Sequence, residues 1–227
     1  MNKFEDVLKS SVNGSYCVYI IFIADVPANL LTWLLSSLKS ISANFISFLS
    51  LCFIASASLF VISEDLFLSS ILFYIGFILD FVDGKVARLK KTSSFYGKKI
   101  DIFVDRIGFT IMVLSYLYYL QTNQFFLEIS ILLLYSFLFY LFDIFQLTDE
   151  ILKMKSKNYL KENYQNYSPD KYLDILSKTR KWFPSRLLTI VFLFSLAPIT
   201  NFFSVYLFCL IILFARFLRV LKYFFSI

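Results

Sequence analysis

The residues able to do chemistry are gathered in one stretch, Leu79–Arg106, LDFVDGKVARLKKTSSFYGKKIDIFVDR. Asp80, Asp83, Gly84, Ala87 and Arg88 recur at intervals of three and four, which lines one face of a helix. Gly97, Asp101 and Asp105 recur at intervals of four and line one face of the next. The segment between, Leu89–Tyr96, is short, polar and basic, which makes the two helices antiparallel neighbours with carboxylates facing each other. Ionised carboxylates in otherwise apolar helices need compensation. Ion pairs with Arg88, Arg106 and the nearby lysines are one way to supply it, but pairing alone does not require two faces ordered at helical spacing. Hard divalent cations fit better: oxygen ligands, with no histidine and no paired cysteine, select magnesium or manganese over zinc or copper. Two such ions between facing helices would clamp a diphosphate. Gly84, Ala87 and Gly97 either let helices approach closely or leave room for a flat ligand beside the backbone.

The elements that position these residues belong to a membrane. Of 227 residues, 59% are apolar and 20% aromatic, and the uncharged runs place the chain in a bilayer. The absence of histidine excludes imidazole bases, nucleophile–histidine pairs and imidazole metal ligands. Cys17, Cys52 and Cys209 lie far apart in apolar sequence and read as small core residues with neither disulfide nor metal duty. The first charges, Lys3, Glu5, Asp6 and Lys9, are mixed in sign. The apolar run Tyr16–Ala24 is short and ends at Asp25 and Pro27 without a small-residue cleavage pattern, so the expectation is an uncleaved chain inserted by its later helices.

Residues 1–43 are expected to form a cytoplasmic N-terminal segment. Within it Asn29–Ile41, with Leu30, Leu31, Trp33, Leu34, Leu35 and Leu38, reads as an amphipathic helix at the membrane interface. The alternative, a kinked span over Tyr16–Leu38, would put Asp25 and Pro27 mid-membrane at real cost. Residues 44–227 read as one all-α membrane domain of six transmembrane helices. Phe45–Ile62 is the first. Leu66–Leu79 opens the second and runs into Asp80, and the third begins near Gly97 and continues uncharged through Ile107–Leu120. Phe125–Phe142 is the fourth, with Asp143 at its far end, and Leu187–Ala215 is broken by Pro198 and Asn201 into the last two. Residues 147–185, rich in Lys, Tyr and acids, read as a cytosolic basic loop with helical pieces.

Charge sets the orientation. The turns Ser63–Asp65, Gln121–Gln124 and Pro198–Asn201 carry no Lys or Arg. Lys85, Arg88, Lys90, Lys91, Lys98, Lys99, the basic loop, Arg216, Arg219 and Lys222 gather on the opposite side, which the positive-inside rule puts in the cytoplasm. The four aspartates then sit at the cytoplasmic end, where water-soluble nucleotides are.

The order Asp80-x-x-Asp83-Gly84-x-x-Ala87-Arg88, eight intervening residues, Gly97-x-x-x-Asp101-x-x-x-Asp105 resembles the signature of the CDP-alcohol phosphotransferases, with all eight positions present at its spacing. The resemblance implies that an alcohol attacks the β-phosphate of a CDP-alcohol and CMP leaves. It implies that Asp80, Asp83, Asp101 and Asp105 surround two divalent cations, with Asp105 also the general base. It implies that Asp80, Gly84, Ala87, Arg88 and Gly97 bind the nucleotide, and it suggests a homodimer. Members commonly open the first membrane helix with Pro-Asn-x-x-Thr; here the stretch is Ala43-Asn44-Phe45-Ile46-Ser47, which keeps Asn44 as a cytidine contact and a hydroxyl at Ser47. Asn44 would also serve as a helix N-cap.

Members that use a phosphorylated acceptor resemble one another in a basic pocket beside the metals, for which Arg106, Arg180, Lys181, Arg186, Arg216 and Arg219 are the candidates. Arg216 and Arg219 share a helical face, although basic residues ending a last helix also suit lipid phosphates. The expected reaction is phosphatidyl transfer from CDP-diacylglycerol to a small hydroxylated acceptor in phospholipid biosynthesis. Transfer of a CDP-activated head group, choline- or ethanolamine-like, to a lipid alcohol is the alternative. A metal-dependent binding or transport protein would place its ionisable residues nearer midplane. The expected partners are the donor, the acceptor and the lipid bilayer, not nucleic acid, and the expected location is the cell inner membrane.

Overall fold

A computed structural model describes residues 21–36, 42–90, 92, 95–141, 144 and 186–225, apart from the side chains of 21, 36, 95, 96, 98–101, 186, 187, 216 and 219–225. The N-terminal residues 1–20, Asp143 and the basic loop of residues 147–185 lie outside the described residues. Among the described residues every regular element is a helix. A π-helical turn, Ile21–Asp25, leads into α1, Val26–Ser36. Then follow α2, Ala43–Ile62; α3, Leu66–Leu89; α4, Phe95–Thr122; and α5, Phe126–Leu141. The last two are α6, Arg186–Val191, which widens into a π turn at Phe192–Leu196, and α7, Phe202–Phe225. Among the described residues three segments, Ala43–Ile62, Leu66–Leu89 and Ile102–Thr122, are long and apolar enough to cross a membrane. Phe22–Leu35, Phe126–Leu141 and Phe202–Ala215 are shorter apolar helices. The chain is an all-α integral membrane protein.

Short polar residues set the helix ends. Ser42, not Asn44, caps α2, its hydroxyl accepting from the Phe45 N–H at 3.2 Å, which puts Asn44 inside the first turn. Asp65 caps α3 by accepting from the Leu68 N–H at 3.1 Å. At the end of α4, Gln124 adopts φ 60°, and the Gln124 and Phe125 N–H groups donate back to Gln121 and Leu120, which caps the orphan carbonyls before α5. Asn201 opens α7 by accepting from the Phe203 N–H at 3.0 Å, after Ala197–Thr200 turns the chain.

Both α3 and α4 pack against α2, and among the described residues α3 and α4 meet each other through side chains of one shared core more than backbone to backbone. The cause is where the glycines face. A Cβ on Gly76 of α3 would stand 2.9 Å from Ile54 Cγ1 and 3.1 Å from the Ser50 carbonyl, and one on Gly108 of α4 would stand 3.3 Å from Ile54 Cδ1. Ile54 of α2 thus fits against both bare backbones. The Ser50 hydroxyl adds a 2.8 Å bond to the Gly76 carbonyl. On the other side of α3 and α4 an aromatic core takes over. Phe194 meets Phe73 edge-on at 5.1 Å and stacks on Tyr116 at 5.6 Å, while Phe109 stacks on Phe139 at 4.1 Å. The Tyr135 hydroxyl and Thr189 hydroxyl, 2.7 Å apart, tie α5 to α6. Large apolar side chains such as Phe48, Leu59, Phe67, Leu114 and Phe137 point outward, as they do on a lipid-facing surface.

The first helix starts earlier than the expected Asn29. Asp25 and Pro27 lie within the continuous helical run, because other residues meet their needs. Pro27 has no N–H to return to the Ile23 carbonyl, and that carbonyl accepts a 2.6 Å bond from the Tyr74 hydroxyl of α3. Asp25 pairs with Lys85 at 2.5 Å. Lys85, which the sequence groups with the basic residues of the cytoplasmic side, is 2% exposed. The π turn and α1 together are inverted relative to a helix of a soluble protein: Ala24, Ala28, Asn29 and Thr32 are buried, whereas Phe22, Val26, Leu30 and Leu34 are exposed.

Candidate active site

The signature's first half lies wholly on α3, which runs unbroken from its Asp65 cap to Leu89, so helical spacing holds from Asp80 to Arg88. Thr92 closes the end of the helix, its N–H donating to the Ala87 carbonyl at 2.9 Å. Asp83 is buried, 4% exposed, and accepts a short hydrogen bond from the Ser47 hydroxyl of α2. A charge-assisted bond of this kind fixes the carboxylate's rotamer and joins α2 to the signature. Asp80, Gly84 and Ala87 are half-buried, and Arg88 is exposed.

Gly84 differs in kind from Gly76 and Gly108. A Cβ added there would meet only its own helix's Arg88, with Nη1 at 3.5 Å and Nη2 at 3.9 Å. Among the described residues, no atom of another helix lies within 4 Å of that position. Asn44, exposed on the first turn of α2, is one turn from Ser47 and has been relieved of capping by Ser42.

The second half lies on the opening turns of α4. Gly97 is half-buried and Asp105 exposed; the Asp101 backbone is helical, but its side chain is outside the described residues. Among the described residues no three carboxylate or thiol side chains converge as a ready metal cage. The donor set still fits a hard cation: Asp80, Asp83 and Asp105 offer oxygen alone, and one of them is already oriented by a hydroxyl from another helix.

Of the acceptor candidates, Arg106 is half-buried and holds its guanidinium carbon 5.5 Å from the centroid of the Phe139 ring of α5. The side chains of Arg186, Arg216 and Arg219 lie outside the described residues. Two features escaped the reading of the sequence: the Ser47–Asp83 bond, where only the retained hydroxyl gave a signal, and the Lys85–Asp25–Asn29 cluster, where an Asp in an apolar run gave the sole one.

Residues 40–227 match the CDP-alcohol phosphatidyltransferase family. The chain belongs to that family. No curated protein matches it. CDP-alcohol phosphatidyltransferases are phosphotransferases, so the chain is an enzyme, one that moves a phosphoalcohol group from a CDP-alcohol to an alcohol in a membrane setting and serves phospholipid synthesis. The family is generally dependent on divalent metal ions. All eight signature positions, the buried Asp83 and the open Gly84 fall within the matched residues.

Proposed function

We propose that this enzyme transfers a phosphatidyl group from CDP-diacylglycerol to the hydroxyl of a small acceptor, releasing CMP, at the cytoplasmic face of the cell inner membrane. The observation that carries the reading is the open backbone at Gly84 beside Asp80 and Asp83, which suits a nucleotide next to a diphosphate. Arg88, Ala87, Gly97 and Asn44 complete the nucleotide side. Ile102 and Phe103 are exposed apolar residues flanking the aspartates of α4, which suits a donor whose acyl chains stay in lipid. The Lys and Arg asymmetry supports the cytoplasmic orientation.

In this reading Asp80, Asp83, Asp101 and Asp105 hold two divalent cations, magnesium or manganese, which when bound neutralise the diphosphate. Asp105 takes the acceptor's hydroxyl proton while the new oxygen–phosphorus bond forms and the bond to the departing CMP oxygen breaks. Arg106, Arg186, Arg216 and Arg219 receive an anionic acceptor. Residues 44–227 form the six-span catalytic domain, α6 and α7 being its last two spans, with residues 147–185 as its cytosolic loop. α1 lies at the interface with Phe22, Val26, Leu30 and Leu34 in lipid, and the outward aromatic surface of the spans serves a homodimer.

The test is CMP release by purified protein from CDP-diacylglycerol with magnesium or manganese, over glycerol phosphate, inositol phosphate, inositol, serine and no acceptor. Acceptor-dependent CMP is expected, falling by about 10²–10⁴ in Asp105→Asn. No CMP from CDP-diacylglycerol, with release from CDP-choline or CDP-ethanolamine and a lipid alcohol, would overturn the choice of donor.

A further inference from the structure

Lys85 stands between Gly84 and Ala87 in the signature, yet its side chain faces away from the open side. Its ammonium group donates to Asp25 Oδ1 at 2.5 Å, Asn29 Oδ1 at 2.5 Å and the Asp25 carbonyl at 3.2 Å. An ammonium has three protons, so α1 accepts all of them, and Lys85 is left with none for a phosphate. The Asn29 amide in turn donates to Asp25 Oδ2 at 3.4 Å. A buried charge cluster of this completeness is costly to build and fixes geometry, because either partner alone would be an uncompensated ion. Asp25 and Asn29 also lie outside residues 40–227, so nothing in the family match assigns them.

We propose that Asp25 and Asn29 are positioning residues of the active site, acting through Lys85 to set the rotation of α3 and hence the aim of Asp80, Asp83 and Gly84. Three bonds lock α1 to α3 at the residue adjoining Gly84, and a fourth, from the Tyr74 hydroxyl to the Ile23 carbonyl, holds the start of α1 further along the same helix. Asp25 has a second effect. It neutralises a cation that would otherwise stand, unscreened by water, on the same helix as Asp80 and Asp83. The inference rests on the transferase reading given above.

The test uses the full chain in two variants, Asp25→Asn and the apolar pair Asp25→Leu with Lys85→Met, which removes the cluster without leaving a charge. Wild-type CMP release checks the transferase reading separately. Manganese-dependent CDP binding without acceptor, followed by thermal shift, gives a readout independent of turnover. Both variants are expected to need about 10–100-fold more cation for half-maximal binding and activity. Asp25→Glu should restore most of the affinity. Folded variants with wild-type cation requirement would overturn the proposal. Failure of both variants to fold would also overturn it, by making the cluster a requirement for folding alone.

Discussion

On α3, a methyl group at Gly76 would run into Ile54 and the Ser50 carbonyl of α2, whereas at Gly84 it would touch only the tip of Arg88 on its own helix. The same residue type therefore has two different surroundings on one helix. Toward Leu66 the bare backbone is used for packing, and α2 is drawn close enough for the Ser50 hydroxyl to bond across. Toward Leu89, no atom of another described helix lies within 4 Å of the position a Cβ would take, and Asp80 and Asp83 stand on the same helix beside it. Composition cannot separate these regions, since both are small residues in apolar helix. Only the partner, or the lack of one over Gly84 among the described residues, distinguishes the packed glycine from the open one.

Substitutions that treat the two ends alike should sharpen this contrast. Gly76→Val drives a branched side chain into Ile54 and should destabilise the protein by about 1–3 kcal/mol, with little change in donor KM for the molecules that remain folded. Thermal unfolding in detergent alongside kinetics reads both. Gly84→Ala should leave stability unchanged or raise it by up to about 1 kcal/mol, because alanine is the better helix former. Its kcat/KM for the CDP-alcohol should nonetheless fall on the order of a hundredfold as the donor is displaced. A stability loss at Gly84 matching that at Gly76 would erase the distinction. Ser47→Ala removes the hydroxyl that orients Asp83 and should raise the cation concentration for half-maximal activity by about tenfold, with donor KM at saturating cation nearly unchanged.

Much of this was legible because it depends on spacing along one helix. Asp80 to Arg88 fall on one unbroken helix, and Pro198 and Asn201 do separate two helices, since turn and face are local properties. Relations between helices were not legible. Nothing in the sequence says that α2, not α4, fills the groove beside Gly76, because the choice turns on one isoleucine reaching two glycines. Asp25 and Lys85 were read separately, as a mid-membrane penalty and as one of the basic residues of the cytoplasmic side. They cancel each other only after folding brings together residues 60 positions apart. The cap at Ser42 shows the finer limit: Asn44 is an equally good capping type, and the backbone decided between them.

The central claim is that the space over Gly84 belongs to the nucleotide. It is tested most directly by equilibrium binding of CDP, in the presence of manganese, to purified wild-type protein and to Gly84→Leu. The account predicts that Gly84→Leu unfolds at or above the wild-type temperature and binds no CDP at concentrations that saturate the wild type. A folded Gly84→Leu protein that binds CDP with wild-type affinity would contradict it.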